Sequence, residues 1–246
     1  MRYPAAPPPE LPIRFCGRPV VTGSKCPADC RRCADACPTG AITVATGTAR
    51  ITLDTGRCLF CQECCEACPT AAIWFTREHR LAGARREDLI VRDGGAAVAA
   101  AFNAQAARLF GRSLKLREVS AGGCNACEAD TNVLNTLAWD LGRFGVQFVA
   151  SPRHADGLLV TGAVPHNMRE ALKKTYEAVP APKLVIAVGA CAIAGGPYIG
   201  HPEIENGASG VVPVDLFVPG CPPHPLTILD GLLRLLGQIK DSGALR

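Results

Sequence analysis

The sequence predicts a doubly wound α/β sheet, mainly parallel, preceded by a small cysteine-rich α+β unit. Three observations carry that prediction. From Leu114 onward, apolar runs of strand length alternate with segments of helical period, the pattern of a parallel sheet covered by helices. Three of those strands lead directly to cysteine, at Gly122-Gly123-Cys124-Asn125-Ala126-Cys127, at Cys191 after Leu184–Ala190, and at Cys221 after Val218-Pro219-Gly220. Upstream, residues 26–76 contain two successive four-cysteine runs, each closed by Pro-Thr.

Composition bounds the chemistry. A chain of 246 residues with 48% hydrophobic content can bury a real core and has room for a small and a medium domain. Every apolar run is broken by Gly, Pro or charge before it reaches transmembrane length. No signal core is seen in the Pro-rich first residues, so a folded intracellular protein is the expectation. Fourteen cysteines are a large excess; grouped at ligand spacing without an export signal, they point to metal rather than disulfides. The formal charge of +4 counts cysteines as neutral. An oxidised four-iron cube with four thiolates carries about −2, so three would more than cancel it. The basic excess therefore does not indicate a nucleic-acid partner.

Taken in order, residues 1–25 are expected to be an extended segment, with Cys16 a plain thiol. In the next stretch, Cys26, Cys30, Cys33 and Cys37 precede Pro-Thr-Gly-Ala-Ile, and Cys58, Cys61, Cys64 and Cys68 precede Pro-Thr-Ala-Ala-Ile. The last three cysteines of each copy are 31 residues apart and the first pair 32. A loop with this spacing wraps three thiolates round one face of a cube and sends the fourth to a neighbouring cluster. The Pro ends the loop and offers no competing N–H. Cys65 competes with Cys64 as third ligand, and the repeat favours Cys64. A short hairpin is expected from Ile42–Val44 and Arg50–Leu53 around Gly47. With few other core residues, bound metal is expected to hold this unit folded. Residues 77–113 read as a solvated linker followed by an Ala-rich helix at Ala96–Phe110.

Beyond it, strands are predicted at Lys115–Val119, Val146–Ala150, Gly157–Thr161, Lys183–Val188 and Asp215–Val218. Helices are predicted at Asn125–Phe144, His166–Val179 and Pro225–Lys240. Neither a G-x-G-x-x-G nor a Walker sequence occurs, so a nucleotide site is not supported. In an open α/β sheet, ligands gather outside the carboxyl ends of strands. Loops there could unite Cys124, Cys127, Cys191 and Cys221, and four thiolates suit zinc or an iron–sulfur cluster. Glu128, next to a ligand candidate, could pass protons or simply favour a helix start. His166 and His224 read as surface loop histidines. The apolar stretch Leu226–Leu236 reads as core or subunit interface.

Two resemblances extend this reading. Residues Cys26–Thr76 resemble the bacterial 2×(4Fe–4S) ferredoxin domain, whose C-x2-C-x2-C-x3-C-P run the second copy follows; the first copy has x3 at its first gap. That resemblance implies two clusters with exchanged fourth ligands, one held by Cys26, Cys30, Cys33 and Cys68, the other by Cys58, Cys61, Cys64 and Cys37. Residues Leu114–Lys240 resemble the small subunit of membrane-bound, energy-converting nickel–iron hydrogenases, which is related to the 20 kDa-type subunit of complex I. The residues that carry it are Cys124-x2-Cys127, then 63 residues beginning with Glu128, Cys191, then 29 residues, Cys221-Pro222-Pro223, together with Ala155–Met168. The complex I subunit usually has adjacent cysteines where this chain has a two-residue gap, which favours the hydrogenase branch.

The resemblance implies a flavodoxin-like fold for residues 114–246 and a third 4Fe–4S cluster on Cys124, Cys127, Cys191 and Cys221. It further implies an electron relay. The partners would be a large subunit with the nickel–iron site, membrane subunits and an upstream electron donor, on the cytoplasmic face of the membrane. A terminal-cluster subunit of a quinone oxidoreductase and a soluble electron carrier are the alternatives.

Overall fold

The computed structural model describes residues 2–27, 29–45, 51–93 and 104–239. Its N-terminal unit contains β1 (Pro19–Val21), α1 (Arg32–Asp35), β2 (Ile42–Val44), β3 (Ile51–Asp54), α2 (Glu63–Glu66), β4 (Ile73–Phe75) and β5 (Ile90–Val91). β1 and β4 pair antiparallel, and β2, β3 and β5 form a second antiparallel sheet. The expected hairpin is present as β2–β3, with Ile42 opposite Leu53 and Val44 opposite Ile51; its tip at Gly47 lies outside the described residues. The core of this unit interleaves sulfur with hydrocarbon: Cys33, Cys58 and Cys64 are buried among Val21, Ile42, Ile51, Leu53, Ile73 and Val91.

The second unit follows α3 (Ala104–Phe110), the described part of the Ala-rich helix. It comprises β6 (Leu114–Ser120), α4 (Ala126–Asn132), β7 (Val146–Phe148), β8 (Gly157–Thr161), α5 (His166–Ala178), β9 (Leu184–Val188), α6 (Gly189–Ala194), β10 (Leu216–Val218) and α7 (Pro225–Leu235). The sheet order is β10-β9-β8-β6-β7, and every pairing is parallel. Numbered by appearance this is 2-1-3-4-5, the flavodoxin-like order expected, with its switch point between β6 and β8. All residues of β8 and β9 are buried because helices cover both faces. On one face lies α7, buried along its length. Its Leu226, Ile228, Leu229, Leu232, Leu233 and Leu235 each contribute roughly 1.5–3 kcal/mol by leaving water. On the other lies α5, with Leu172 in the second core.

Three expectations require correction. A continuous helix over Asn125–Phe144 is not formed. α4 stops at Asn132 and passes through two short 3-10 turns, Val133–Asn135 and Leu141–Phe144. Thr136 turns its hydroxyl back onto the Val133 carbonyl, and Asp140 is left-handed at φ 48°, a conformation no helix continues through. α7 ends at Leu235, because Gly237 takes φ 68° and donates to the Arg234 carbonyl, a helix-ending turn; Lys240 lies outside the described residues.

The described part of the linker, 77–93, is not solvated either. Gly83 and Phe217 exchange both backbone hydrogen bonds, so this segment covers the edge strand β10. Leu89 is buried beside Ala187, Ile193 and Phe217, and Arg86 forms a two-pronged pair with Asp54 at 2.7 and 2.5 Å. The N-terminal segment is anchored as well. Buried Tyr3 donates its hydroxyl to Asp230 on α7, and Asp230 also accepts from Arg234 at 2.7 Å. Arg143 donates to the Tyr3 carbonyl at 2.9 Å, and His79 packs edge-on against the Tyr3 ring. Burial, then the Asp230 charge, drives the Tyr3 hydroxyl pKa upward. These contacts fasten residues 2–15 and 77–93 to the parallel sheet.

Asp230→Ala should lower stability by about 3 kcal/mol, since breaking a buried ion pair is costly. Tyr3→Phe, which removes one hydrogen bond to a charged acceptor, should cost about 1.5 kcal/mol. Thermal melts of the intact, metal-loaded chain distinguish the two.

Candidate metal centre

Cys124 and Cys127 lie in the loop and first turn after β6, Cys191 after β9 and Cys221 after β10. All three positions are at the carboxyl edge of the sheet, and the first is beside the switch point. Cys191 was expected in a loop, but it lies in the first turn of α6, which begins directly at the end of β9. The Ala190 N–H donates to the Gly220 carbonyl at 2.8 Å, which fixes the Cys191 turn against the Cys221 loop. Cys127 lies within electrostatic range of Cys191, Cys221 and Cys124. The structure therefore brings the four predicted cysteines of this unit together.

Two glycines make room for the sulfurs. A Cβ on Gly189 would stand 2.5 Å from the Cys127 sulfur, and one on Gly196 would stand 2.5 Å from the Cys191 sulfur. Both glycines have positive φ, 89° and 57°, which other residues adopt only with strain.

In the N-terminal unit the two copies are built alike. The sulfur of Cys37 accepts the Ala41 N–H at 3.2 Å with the Thr39 hydroxyl at 3.8 Å. The sulfur of Cys68 accepts the Ala72 N–H at 3.2 Å with the Thr70 hydroxyl at 3.8 Å. The repeated Pro-Thr-x-Ala thus cradles a sulfur in each copy. The turn needs a left-handed residue, Gly40 at φ 59° in one copy and Ala71 at φ 49° in the other. Phe60 donates its N–H to Cys58 at 3.3 Å. Gln62 and Asn125, each after the first cysteine of a C-x-x-C pair, share the same left-handed conformation, φ 69° and ψ 2°.

Proximity sorts the sulfurs. Cys33 has Cys26, Cys68 and Cys64 as neighbours, and Cys58 has Cys64, Cys37 and Cys61, so Cys68 lies near the first copy and Cys37 near the second. Cys65 is hydrogen-bonded to Cys64 and has Cys16, Cys68 and Cys58 as neighbours, while Cys64 is the more buried of the two. Cys16 is beside Cys61 and Gln62. Among the described residues, no three His, Cys, Asp or Glu side chains close on one point tightly enough for a single ion.

The sulfurs fit an iron–sulfur cluster chemically. Burial first, then mutual repulsion, pushes the thiol pKa up to about 11 for Cys33 and Cys191 and to about 12 for Cys58, where backbone donors to Cys33 and Cys58 offset part of the rise. Cys127 is raised further by burial and by Cys191, Glu128, Cys221 and Cys124. Such sulfurs become thiolates at neutral pH only beside strongly positive charge. Cys68 is the opposite case: burial would raise it, but donors from Thr70 and Ala72 outweigh burial and lower it.

Residues 25–72 match the 4Fe-4S dicluster domain family model, and residues 124–235 match the model described as NADH ubiquinone oxidoreductase, 20 Kd subunit. A probable membrane-bound hydrogenase subunit, mbhJ, of Pyrococcus furiosus is 43% identical over 136 residues, covering 55% of this chain and 81% of that one. The chain belongs to the 20 Kd subunit family. Formate hydrogenlyase subunit 7 of Escherichia coli is 38% identical over 142 residues, 58% of this chain and 56% of that one. Among solved structures, a chain of the membrane-bound sulfane sulfur reductase, an archaeal respiratory membrane complex, is similar with 34% identity and a TM-score of 0.46, covering 52% of this chain and 70% of that one.

Four further polar residues surround this 20 Kd-type site, and one of them, Glu118, gave no sequence signal. Glu128 is buried at the switch point, accepting from Ser120 at 2.6 Å and Thr161 at 2.7 Å. Burial raises its pKa, those two hydroxyls outweigh it, and the net shift is downward. Glu118, on the same face of β6 as Ser120, was not anticipated. Its Oε1 is buried without a hydrogen bond, and burial followed by the Glu128 charge pushes its pKa up to about 7. A charged residue in a strand of mixed pattern reads as solvent-facing, so sequence gave no sign of this. His224 is corrected from a surface histidine: it is half-buried between Phe15 and Trp139, with ring centroids at 5.5 and 5.9 Å, and caps α7 by accepting the Leu226 N–H. His166, at the start of α5, stays half-exposed near Glu205.

Gly189→Ala should displace the Cys127 sulfur and lower the iron retained per chain. Gly200→Ala, also at positive φ but with open space round the added Cβ, should retain parental iron; colorimetric iron assays compare them.

Glu118 gives a pH-dependent prediction. A carboxyl at about 7 when folded, and about 4.3 when unfolded, contributes stability fully below about pH 4.3 and loses it as pH rises through 7. Glu118→Gln should therefore match the parent near about pH 4 and melt higher near about pH 8, by on the order of 1 kcal/mol after solvent screening.

Proposed function

We propose that this chain is the electron-relay subunit of a membrane-associated nickel–iron hydrogenase complex and holds three 4Fe–4S clusters. The observation that carries the proposal is the gathering of Cys124, Cys127, Cys191 and Cys221 from three strand ends onto one edge, with a two-set ferredoxin unit packed on the same molecule. Four thiolates suit a cube, whose irons each take one, and the duplicated ferredoxin-type runs upstream favour iron–sulfur over zinc. On this reading Cys26, Cys30, Cys33 and Cys68 hold one cluster, Cys58, Cys61, Cys64 and Cys37 a second, and Cys124, Cys127, Cys191 and Cys221 a third.

Bound clusters supply one-electron storage; the chain's residues supply position and potential. The N–H groups of Ala41, Ala72 and Phe60 donate to ligand sulfurs, which stabilises negative charge and raises potential locally. Glu128, buried and hydrogen-bonded beside Cys127, opposes added electrons there and could exchange a proton at the subunit boundary. Exposed Cys124 and Cys221 mark the edge that a large subunit would cover, and hydrogen chemistry would belong to that subunit. Among the described residues, no helix is long and apolar enough to cross a membrane, so attachment to the cytoplasmic face would run through neighbouring subunits.

The family's description favours one second reading, a terminal-cluster role in a quinone oxidoreductase. The two-residue gap between Cys124 and Cys127 favours the hydrogenase branch. Anaerobically purified complex should hold about 12 iron atoms on this chain, three clusters of four, and show interacting reduced-state EPR signals. Cys191→Ala or Cys221→Ala should remove about four of them and abolish hydrogen turnover while the N-terminal signals persist. Zinc in place of iron, or turnover with quinone instead of protons, would reject the proposal.

A further inference from the structure

We infer that residues 2–15 form a strap across α7, clasped by the segment Arg77–Arg80, and that protonation of His79 releases it. The device does not depend on the function proposed above.

The strap meets the clasp at several points. Arg77 donates to the Leu11 carbonyl. Just past the strap, the Arg18 N–H donates to the Glu78 carbonyl at 2.9 Å. The Tyr3 ring meets the His79 ring edge-on, with centroids 5.7 Å apart. Tyr3 and Leu11 are the strap's two buried side chains, whereas Pro4, Pro7, Pro8, Pro9, Pro12 and Ile13 face solvent. Little hydrocarbon secures the strap, so polar contacts decide whether it stays.

His79 suits one protonation state. It is 6% exposed, and its Nε2 is buried without a hydrogen-bond partner among the described residues. The charged groups that face it are already engaged. On its own segment, Glu78 lies 3.8 Å from Nδ1, beyond hydrogen-bond reach, and takes both prongs of Arg80. On α7, Asp230 accepts from Tyr3 and from Arg234. On the strap, Tyr3 keeps its proton, because burial and then Asp230 raise its pKa. From the turn before β7, Arg143 donates to the Tyr3 carbonyl. His224, at the head of α7, also feels the His79 charge.

An imidazolium here would carry an Nε2–H with no acceptor, in a buried site beside Arg80 and Arg234. Burial is the largest influence and moves the His79 pKa down. Asp230 and Glu78 oppose it, Arg80 and Arg234 add to it, and the net direction is downward. In water the ring takes its proton near about pH 6.5. The clasped form therefore binds fewer protons than the released form. Clasping is fully present above about pH 6.5 and is lost as pH falls below it, toward the depressed folded value. Release would draw Phe15 off the His224 ring. It would also open the cavity of about 230 Å³ that Arg14, Phe15, Cys16, Pro222 and His224 line.

The test is hydrogen–deuterium exchange on the full, metal-loaded chain at about pH 7.5 and about pH 5, on either side of the ordinary histidine value, with rates corrected for the intrinsic pH dependence of exchange. The reporters are the Ala6 and Phe15 amides, hydrogen-bonded to the Arg2 and Pro12 carbonyls. Their protection should fall severalfold at the lower pH, while that of β8 stays unchanged. His79→Phe keeps a ring against Tyr3 and cannot take a proton, so its strap should stay protected at both pH values. His79→Lys carries charge at both and should be unprotected at both. Equal strap protection at the two pH values in the parent overturns the proposal. So does joint loss of strap and β8 protection, which is global unfolding, or a parental pH response in His79→Phe. If His79→Phe loses β8 protection at neutral pH, His79→Gln, equally unable to charge, answers the same question.

Discussion

The burial of many sulfurs close to one another is the constraint on which the rest of this molecule depends. Each set gathers groups that would be negative as ligands into surroundings that disfavour charge. Left alone, Cys58 and Cys191 stay protonated far above neutrality. Only strong positive charge between the sulfurs makes the arrangement favourable, so metal and fold are thermodynamically one system. The small antiparallel sheets of the N-terminal unit illustrate this, since buried cysteines make up part of their apolar core. The parallel sheet is less dependent, because α5 and α7 give it two hydrocarbon layers.

A second requirement is alignment. Clusters useful as a wire must keep their spacing, and here that depends on contacts remote from sulfur. The Tyr3–Asp230–Arg234 group, the Arg86–Asp54 pair and the Gly83–Phe217 backbone exchange together bind the N-terminal unit to the sheet. None involves a ligand, and each joins segments distant in sequence. They convert two units into one assembly in which the loop after β10 meets a loop from the other unit.

Legibility in the sequence followed the range of the interaction. The parallel sheet was readable because its strands are short continuous apolar runs with helical segments between them, and β8 falls where the run Gly157–Thr161 predicts it. The cysteine sets were readable because spacing is itself the signal. What failed was non-local. Residues 77–93 look polar by composition, yet Leu89 and His79 are buried because partners come from β9, α6 and α7. Tyr3 sits in a Pro-rich segment with no periodicity, and its partner Asp230 is in a helix that reads chiefly as hydrocarbon. The Asn125–Phe144 stretch carries a good helical pattern, but Asp140 and Gly145 take left-handed conformations, and the Gly145 carbonyl is tied to the Leu114 N–H of β6. Glu118 was hidden because strand alternation does not say which face a neighbouring carboxylate will occupy.

The Gly83–Phe217 pairing has a consequence for modularity. β10 ends the row of parallel strands, and an unclosed row of backbone donors and acceptors invites association with other chains. Here the connector from the cysteine-rich unit occupies that border. Shortening the protein to the flavodoxin-like part alone would leave a raw margin open to self-association, so the fused N-terminal portion is a structural shield for its neighbour as well as a conductor.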